Sequence, residues 1–201
     1  MSVLQVGVAG GLGRMGRAII GAIGENPNLN LGGTWERPGS AGVGEPHSDA
    51  SHCIVGASAS APLDVVIDFT APDATAALAL WCAENNTPMI VGTTGLEERH
   101  HAVLDQVAER VPVVQAPNMS VGVNVLVDLV GQAARMLGPD FDLEVIESHH
   151  RRKKDAPSGT AMRLLDALLD AREGSTPVFE RYGMIGERPE NSIGVQTIRG
   201  G

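Results

Sequence analysis

"LQVGVAGGLGRMGRAIIGAI", residues 4–23, decides how the rest of the chain is read. Residues 4–10 form a short continuous apolar run, the pattern of a strand buried on both faces. Residues 14–23 carry apolar side chains at helical spacing. Between them the glycines crowd together. Gly11, Gly13 and Gly16 fit G-x-G-x-x-G, and Gly10, Gly13 and Gly16 fit G-x-x-G-x-x-G. Glycine there lets the backbone turn sharply and a ligand approach it closely, while the helix start beyond attracts an anion. The loop Gly10, Gly11, Leu12, Gly13, Arg14 and Met15 is therefore a candidate cradle for the pyrophosphate of a dinucleotide. The competing reading is a tight turn with no ligand, in a chain of 25 glycines. Context favours the cradle. "LNLGGTWE" (29–36) reads as a second strand, and Glu36 at its end lies 20 residues past Gly16, where an acid holds a ribose hydroxyl pair. Arg37 and Arg14 pull the other way, towards the 2′-phosphate of NADPH, so NADH and NADPH both stay open.

The alternation continues outward. "DVVIDFT" (64–70) is a third strong strand, followed by a helix over 72–86 with Pro72 in its first turn and Asn85-Asn86 at its exit. Residues 88–95 form a strand, 96–110 a helix and 112–118 a fifth strand. Short apolar strands separated by helices mean an α/β unit with a parallel sheet covered on both faces. Ligands of such sheets lie beyond the carboxyl ends of the strands. Gly92, Thr93 and Thr94 and the group Ala116, Pro117, Asn118 and Met119 are thus candidates for the nicotinamide end, with ordinary turn chemistry as the alternative. The stretch 37–63 reads as loops with one poor strand near "HCIVGA". After residue 118 the pattern changes: a long helix over 120–137, a half-buried strand over 141–150, a helix over 158–171 capped by Ser158, a polar loop, and a strand from 193. The division predicts a dinucleotide-binding domain over 1–118 and a smaller domain over 119–201.

Bulk composition narrows the partners. With 43% hydrophobic residues but only 3% aromatics, the core must be Val, Ile, Leu, Ala and Met. A formal net charge of -9 argues against a nucleic-acid coat or an anionic membrane surface as partner, though not against a small anion held locally. No stretch approaches a membrane span, and glycines break the first apolar run, so no signal peptide is expected. Cys53 and Cys82 lack metal-ligand spacing; two buried thiols in a cytosolic protein, with no metal, is the expectation.

Against that acidic background stands "ESHHRRKKDAPSGTA" (147–161). Lys153 and Lys154 are the only lysines, beside thirteen arginines. Lysine, unlike arginine, can give up its proton when its pKa is lowered, and histidine moves protons near neutral pH. His149 and His150 end a strand, and Ser158, Gly159 and Thr160 open a helix whose free N–H groups suit a carboxylate or phosphate. A solvated charged turn is the plainer alternative. The other pair, His100-His101, sits within a predicted helix among acids and reads as an exposed face.

The segments "VGVAGGLGRMGRAI", "VIDFT", "VGTTG", "APNMSVGVNVL" and "IESHHRRKKDAPSGTA" together resemble the dihydrodipicolinate reductase family in order and spacing. That resemblance implies a Rossmann-type domain followed by a substrate domain built on an open mixed sheet. It implies hydride transfer from NADH or NADPH to a cyclic unsaturated dicarboxylate, with loss of a hydroxyl as water, in lysine and diaminopimelate biosynthesis. By position, His149 would be the acid and Lys153 its assistant, while His150, Lys153, Gly159 and Thr160 would hold the substrate carboxylates. A cytoplasmic homotetramer is implied as well. Family members continue past "TIRGG", so a missing C-terminal segment is expected, and a dinucleotide-binding protein without turnover is the alternative function.

Overall fold

The computed structural model describes residues 2–60 and 62–201; Met1 and Ala61, the latter inside the 37–63 stretch, lie outside the described residues. The chain divides into two compact units, Met1–Pro117 and Asn118–Gly201. The first holds, in order, β1 (Leu4–Ala9), α1 (Arg14–Glu25), β2 (Leu29–Trp35), β3 (Pro46–His47), β4 (Ala50–Gly56), β5 (Val65–Asp68), α2 (Pro72–Glu84), β6 (Met89–Val91), α3 (Glu98–Ala108) and β7 (Val113–Gln115). Its sheet has the order β3-β4-β2-β1-β5-β6-β7, parallel throughout except where β3 runs antiparallel to β4.

Strand alternation splits the apolar residues between two layers. Val6, Val8 and Leu31 pack with Ile20 and Ile23 of α1 on one face. Val66, Met89 and Val91 pack with Leu78 and Cys82 of α2 and Leu104 and Val107 of α3 on the other. β1 pairs with β2 on one side and β5 on the other, so successive crossovers leave it in opposite directions and a crevice opens at the carboxyl ends. The 37–63 stretch holds more order than its composition suggests. The poor strand is β4, and β3 turns back on it as a hairpin. Of the two expected buried thiols only Cys82 is buried; Cys53 is half-buried on a strand near the sheet edge. Burial first, and the charge of Asp68 second, push the Cys82 thiol up to about 12, which makes it inert.

The second unit holds α4 (Val121–Leu137), β8 (Leu143–His149), α5 (Gly159–Ala171), β9 (Thr176–Val178) and β10 (Ser192–Arg199). Its sheet order is β8-β10-β9. The open sheet is as expected, but its three strands all run parallel rather than mixed. The chain returns from the end of β8 through α5, a connection long enough to bring β10 back in the same direction. The polar stretch after α5 is not all loop, because β9 pairs there as an edge strand that tolerates Pro177. α4 and α5 cover one sheet face, where Ala134, Leu165 and Leu168 meet Val145, Ile193 and Val195.

Candidate functional site

In the first unit the glycine loop is sterically obligatory at three points, one of them Gly11, where a Cβ would strike the buried Thr34 hydroxyl. Gly10 has φ +72°, and a Cβ on Gly16 would collide with the Gly10 carbonyl. Gly13 differs: its φ is -72°, it is the exposed N-cap of α1, and no side chain caps the helix there. An uncapped helix start that backbone can approach closely is what an anionic pyrophosphate needs. Beside the loop lies a cleft of about 640 Å³, floored by Ala9 and Gly10 and walled by Trp35, Phe69, Leu78 and Trp81. Gly10, Gly13, Glu36 and Arg37, all read from the sequence, line it. Gly11, Leu12, Arg14 and Met15 complete the loop and first turn but do not form the cleft's walls. Volume, aromatic walls, acid and free helix start together fit a dinucleotide.

Gly92, Thr93 and Thr94 follow β6, and Ala116 and Pro117 follow β7, at the carboxyl edge of the sheet. Thr93 does not offer its hydroxyl to a ligand. It is buried, donating to Asp68 Oδ2 at 3.0 Å and accepting from Thr70 N–H at 2.9 Å. Thr70 and Thr75 also donate to the wholly buried Asp68 carboxylate, at 2.6 and 2.5 Å. Three hydroxyls and one acid thus fix the ends of β5, β6 and α2, a network the sequence reading missed. Thr94 is exposed.

In the second unit the helix-covered sheet face changes character along its length. Leu143 and Val145 on β8 and Ile193 and Val195 on β10 belong to the core. Two residues further on the same face carries Glu147 and His149, and across the register Thr197 and Arg199. Glu147 is the hub. It accepts two bonds from Arg199, at 3.0 and 2.8 Å, one from Ser158 N–H at 3.0 Å, and one from His149 Nδ1. The Arg199 guanidinium, aided by His149 and Ser158 and opposed by burial, holds the Glu147 carboxyl down at about 2. An ionised carboxylate can only accept, so His149 carries its proton on Nδ1 and turns Nε2 away from the network.

The remaining candidates fall nearby in chain and fold. Lys153 Nζ pairs with Asp155 Oδ1 at 2.8 Å, and its ammonium holds the Asp155 carboxyl below the usual carboxylate range. His150 is exposed, its Nδ1 accepting from Arg152 N–H at 3.1 Å. Ser158 caps α5 by accepting from Ala161 N–H at 3.1 Å, which leaves Gly159 and Thr160 as its first residues. Asn118 donates from Nδ2 to Thr160 Oγ1 at 3.2 Å; Met119 beside it is exposed. Among the described residues no group of acids, histidines and cysteines could hold a metal. His100 is a correction. Far from an exposed face, it is buried, its Nδ1 accepting from Glu97 N–H at 2.8 Å and its Nε2 meeting Asp73 Oδ1 at 3.1 Å.

Residues 4–119 match the family model described as dihydrodipicolinate reductase, N-terminus, and residues 122–201 the one described as dihydrodipicolinate reductase, C-terminus. The chain is 45% identical over 203 residues to 4-hydroxy-tetrahydrodipicolinate reductase of Nitratidesulfovibrio vulgaris strain DP4, covering 96% of this chain and 76% of that one. It is 42% identical over 211 residues to the enzyme of the same name from Myxococcus xanthus strain DK1622, covering 99% and 78%. A solved structure of dipicolinate-bound dihydrodipicolinate reductase from Paenisporosarcina sp. TG-14 superposes with a TM-score of 0.69 at 23% identity, over 100% of this chain and 79% of that one, and so speaks for the fold. With both halves matched and full-length relatives covered to three quarters of their length, this chain belongs to the dihydrodipicolinate reductase family.

Proposed function

We propose that this chain reduces 4-hydroxy-tetrahydrodipicolinate to tetrahydrodipicolinate with NADH or NADPH, in lysine and diaminopimelate biosynthesis. The observation that carries the reading, in a chain of this family, is the Glu147–His149 pair at the mouth of a cationic turn. When bound, the dinucleotide supplies the hydride. Residues 10–15 hold its pyrophosphate; Glu36 takes ribose hydroxyls, and Arg37 and Arg14 meet a 2′-phosphate. Backbone at Gly92, Thr93 and Thr94 and at Ala116, Pro117, Asn118 and Met119 lines the nicotinamide end. Residues 1–118 form the cofactor domain and 119–201 the substrate domain.

The balance of the reaction is one hydride and one proton in, and the hydroxyl out as water. His149 delivers the proton from Nε2. Glu147 holds the opposite edge of the ring through Nδ1, which leaves Nε2 as the atom that takes up and gives the proton. Lys153 assists, and with His150, Gly159 and Thr160 it holds the two carboxylates, which is why lysine and histidine gather in an otherwise acidic chain. The family's reductases favour turnover over a binding-only role. A cytoplasmic homotetramer, as the family resemblance implies, completes the reading.

The test is steady-state kinetics with either dinucleotide, beside a cofactor titration. His149→Ala should lower kcat by on the order of 10²-fold or more, the usual worth of a positioned acid, with dinucleotide affinity unchanged. Near-normal turnover in that variant would refute the assignment.

A further inference from the structure

The β3–β4 hairpin braces the glycine loop. His47, only 1% exposed, accepts at Nδ1 from Asp49 N–H at 3.1 Å, so its proton sits on Nε2, which donates to the Gly11 carbonyl at 3.0 Å. A trans peptide is planar, so the Leu12 N–H points opposite to that carbonyl. The neighbouring donors are spent within the protein: Gly11 N–H on Trp35 O at 3.4 Å and Gly13 N–H on Gly10 O at 2.9 Å. Among the described residues the Leu12 N–H has no protein acceptor. Arg17 steadies the next peptide, donating from Nε to the Leu12 carbonyl at 3.2 Å while pairing with Asp49 of the same hairpin at 3.5 Å.

We propose that His47 is a positioning residue for the dinucleotide: by anchoring the Gly11 carbonyl it presents the Leu12 N–H as a preset donor to the pyrophosphate. The proposal rests on the dinucleotide reading above. An apolar side chain of similar size would fill the same space but release the peptide to rotate. Binding would then have to order it, and that cost falls on affinity. A glutamine keeps an amide donor for Gly11 and so should rescue.

The experiment is fluorescence titration of the whole chain with NADH, with NADPH, and with 2′-AMP, which has an adenosine and a 2′-phosphate but no pyrophosphate. His47→Leu should weaken both dinucleotides by the same factor, about tenfold, and leave 2′-AMP within about twofold. His47→Gln should recover most of the loss. In turnover, KM for the dinucleotide should rise while kcat holds. Unchanged dinucleotide affinity in His47→Leu overturns the proposal, and so does an equal loss of 2′-AMP, which would mean a collapsed cleft. A wild-type chain that binds neither dinucleotide overturns the cofactor reading itself, which keeps the two failures apart.

Discussion

Neighbouring glycines of one loop serve different masters. Gly16 is required by the fold, because any Cβ there strikes the Gly10 carbonyl. At Gly13 a Cβ meets only that carbonyl, at 3.1 Å, with a backbone any residue adopts. Gly13→Ala should therefore fold, with a melting temperature near that of the parent, yet bind NADH and NADPH at least about tenfold more weakly because the methyl intrudes on the phosphate. Undiminished titration curves for both dinucleotides would refute the cradle. Arg37, exposed beside Glu36 on the cleft, should matter for one cofactor: Arg37→Ala is expected to cost NADPH about tenfold and NADH little, since only NADPH presents a phosphate there. Equal losses would count against it. These positions were legible because a glycine spacing, or an acid at a strand end, is a local signal. Glu147, His47 and Asp68 were not. Their meaning comes from partners far off in sequence; the arginine that holds Glu147 lies 52 residues downstream.

Helix starts show how element boundaries decide residue roles. Taken as mid-helix, His100-His101 looks like a solvated pair. In the structure α3 begins at Glu98, so His100 falls in the first turn and closes a capping box with Glu97. It also ties α3 to Asp73 in the first turn of α2. His100→Ala removes a buried ring, a cap and a tie, and should cost about 1–3 kcal/mol in urea unfolding followed by tryptophan fluorescence. His101→Ala, on the exposed side, should stay within about 0.5 kcal/mol. Similar values for the two would mean that the cap is idle. Long apolar elements were plain in the sequence, from β1 to α4, and the Ser158 cap was too. The short edge strands β3 and β9, two and three residues long, were not, because so few residues carry no period.

At the scale of the molecule, acid should act unevenly. Among the described residues four carboxyls are held below their ordinary values: Glu144 by Arg181, Glu147 by Arg199, Asp155 by Lys153, and Asp73 by His100 and Arg99. A depressed carboxyl contributes fully above its unfolded value and progressively less as pH falls towards its folded one. For Glu147 that window runs from 4.5 down to about 2. Three of the four lie in the second unit, and both tryptophans, Trp35 and Trp81, lie in the first. On acidification, far-UV circular dichroism should begin to fall at a higher pH than tryptophan fluorescence shifts. Coincident transitions would argue against independent responses. The strand order of the second sheet has one more effect, felt during synthesis. β8 and β9 never touch; each is joined only through β10, the last of the three to be made. A ribosome adding about 5–20 residues per second needs roughly one to four seconds to go from the end of β9 to the end of β10. Throughout that interval the apolar faces of α4 and α5 exist without a finished sheet to cover them. A nascent-chain chaperone would find an opportunity there, after the first unit has all its strands.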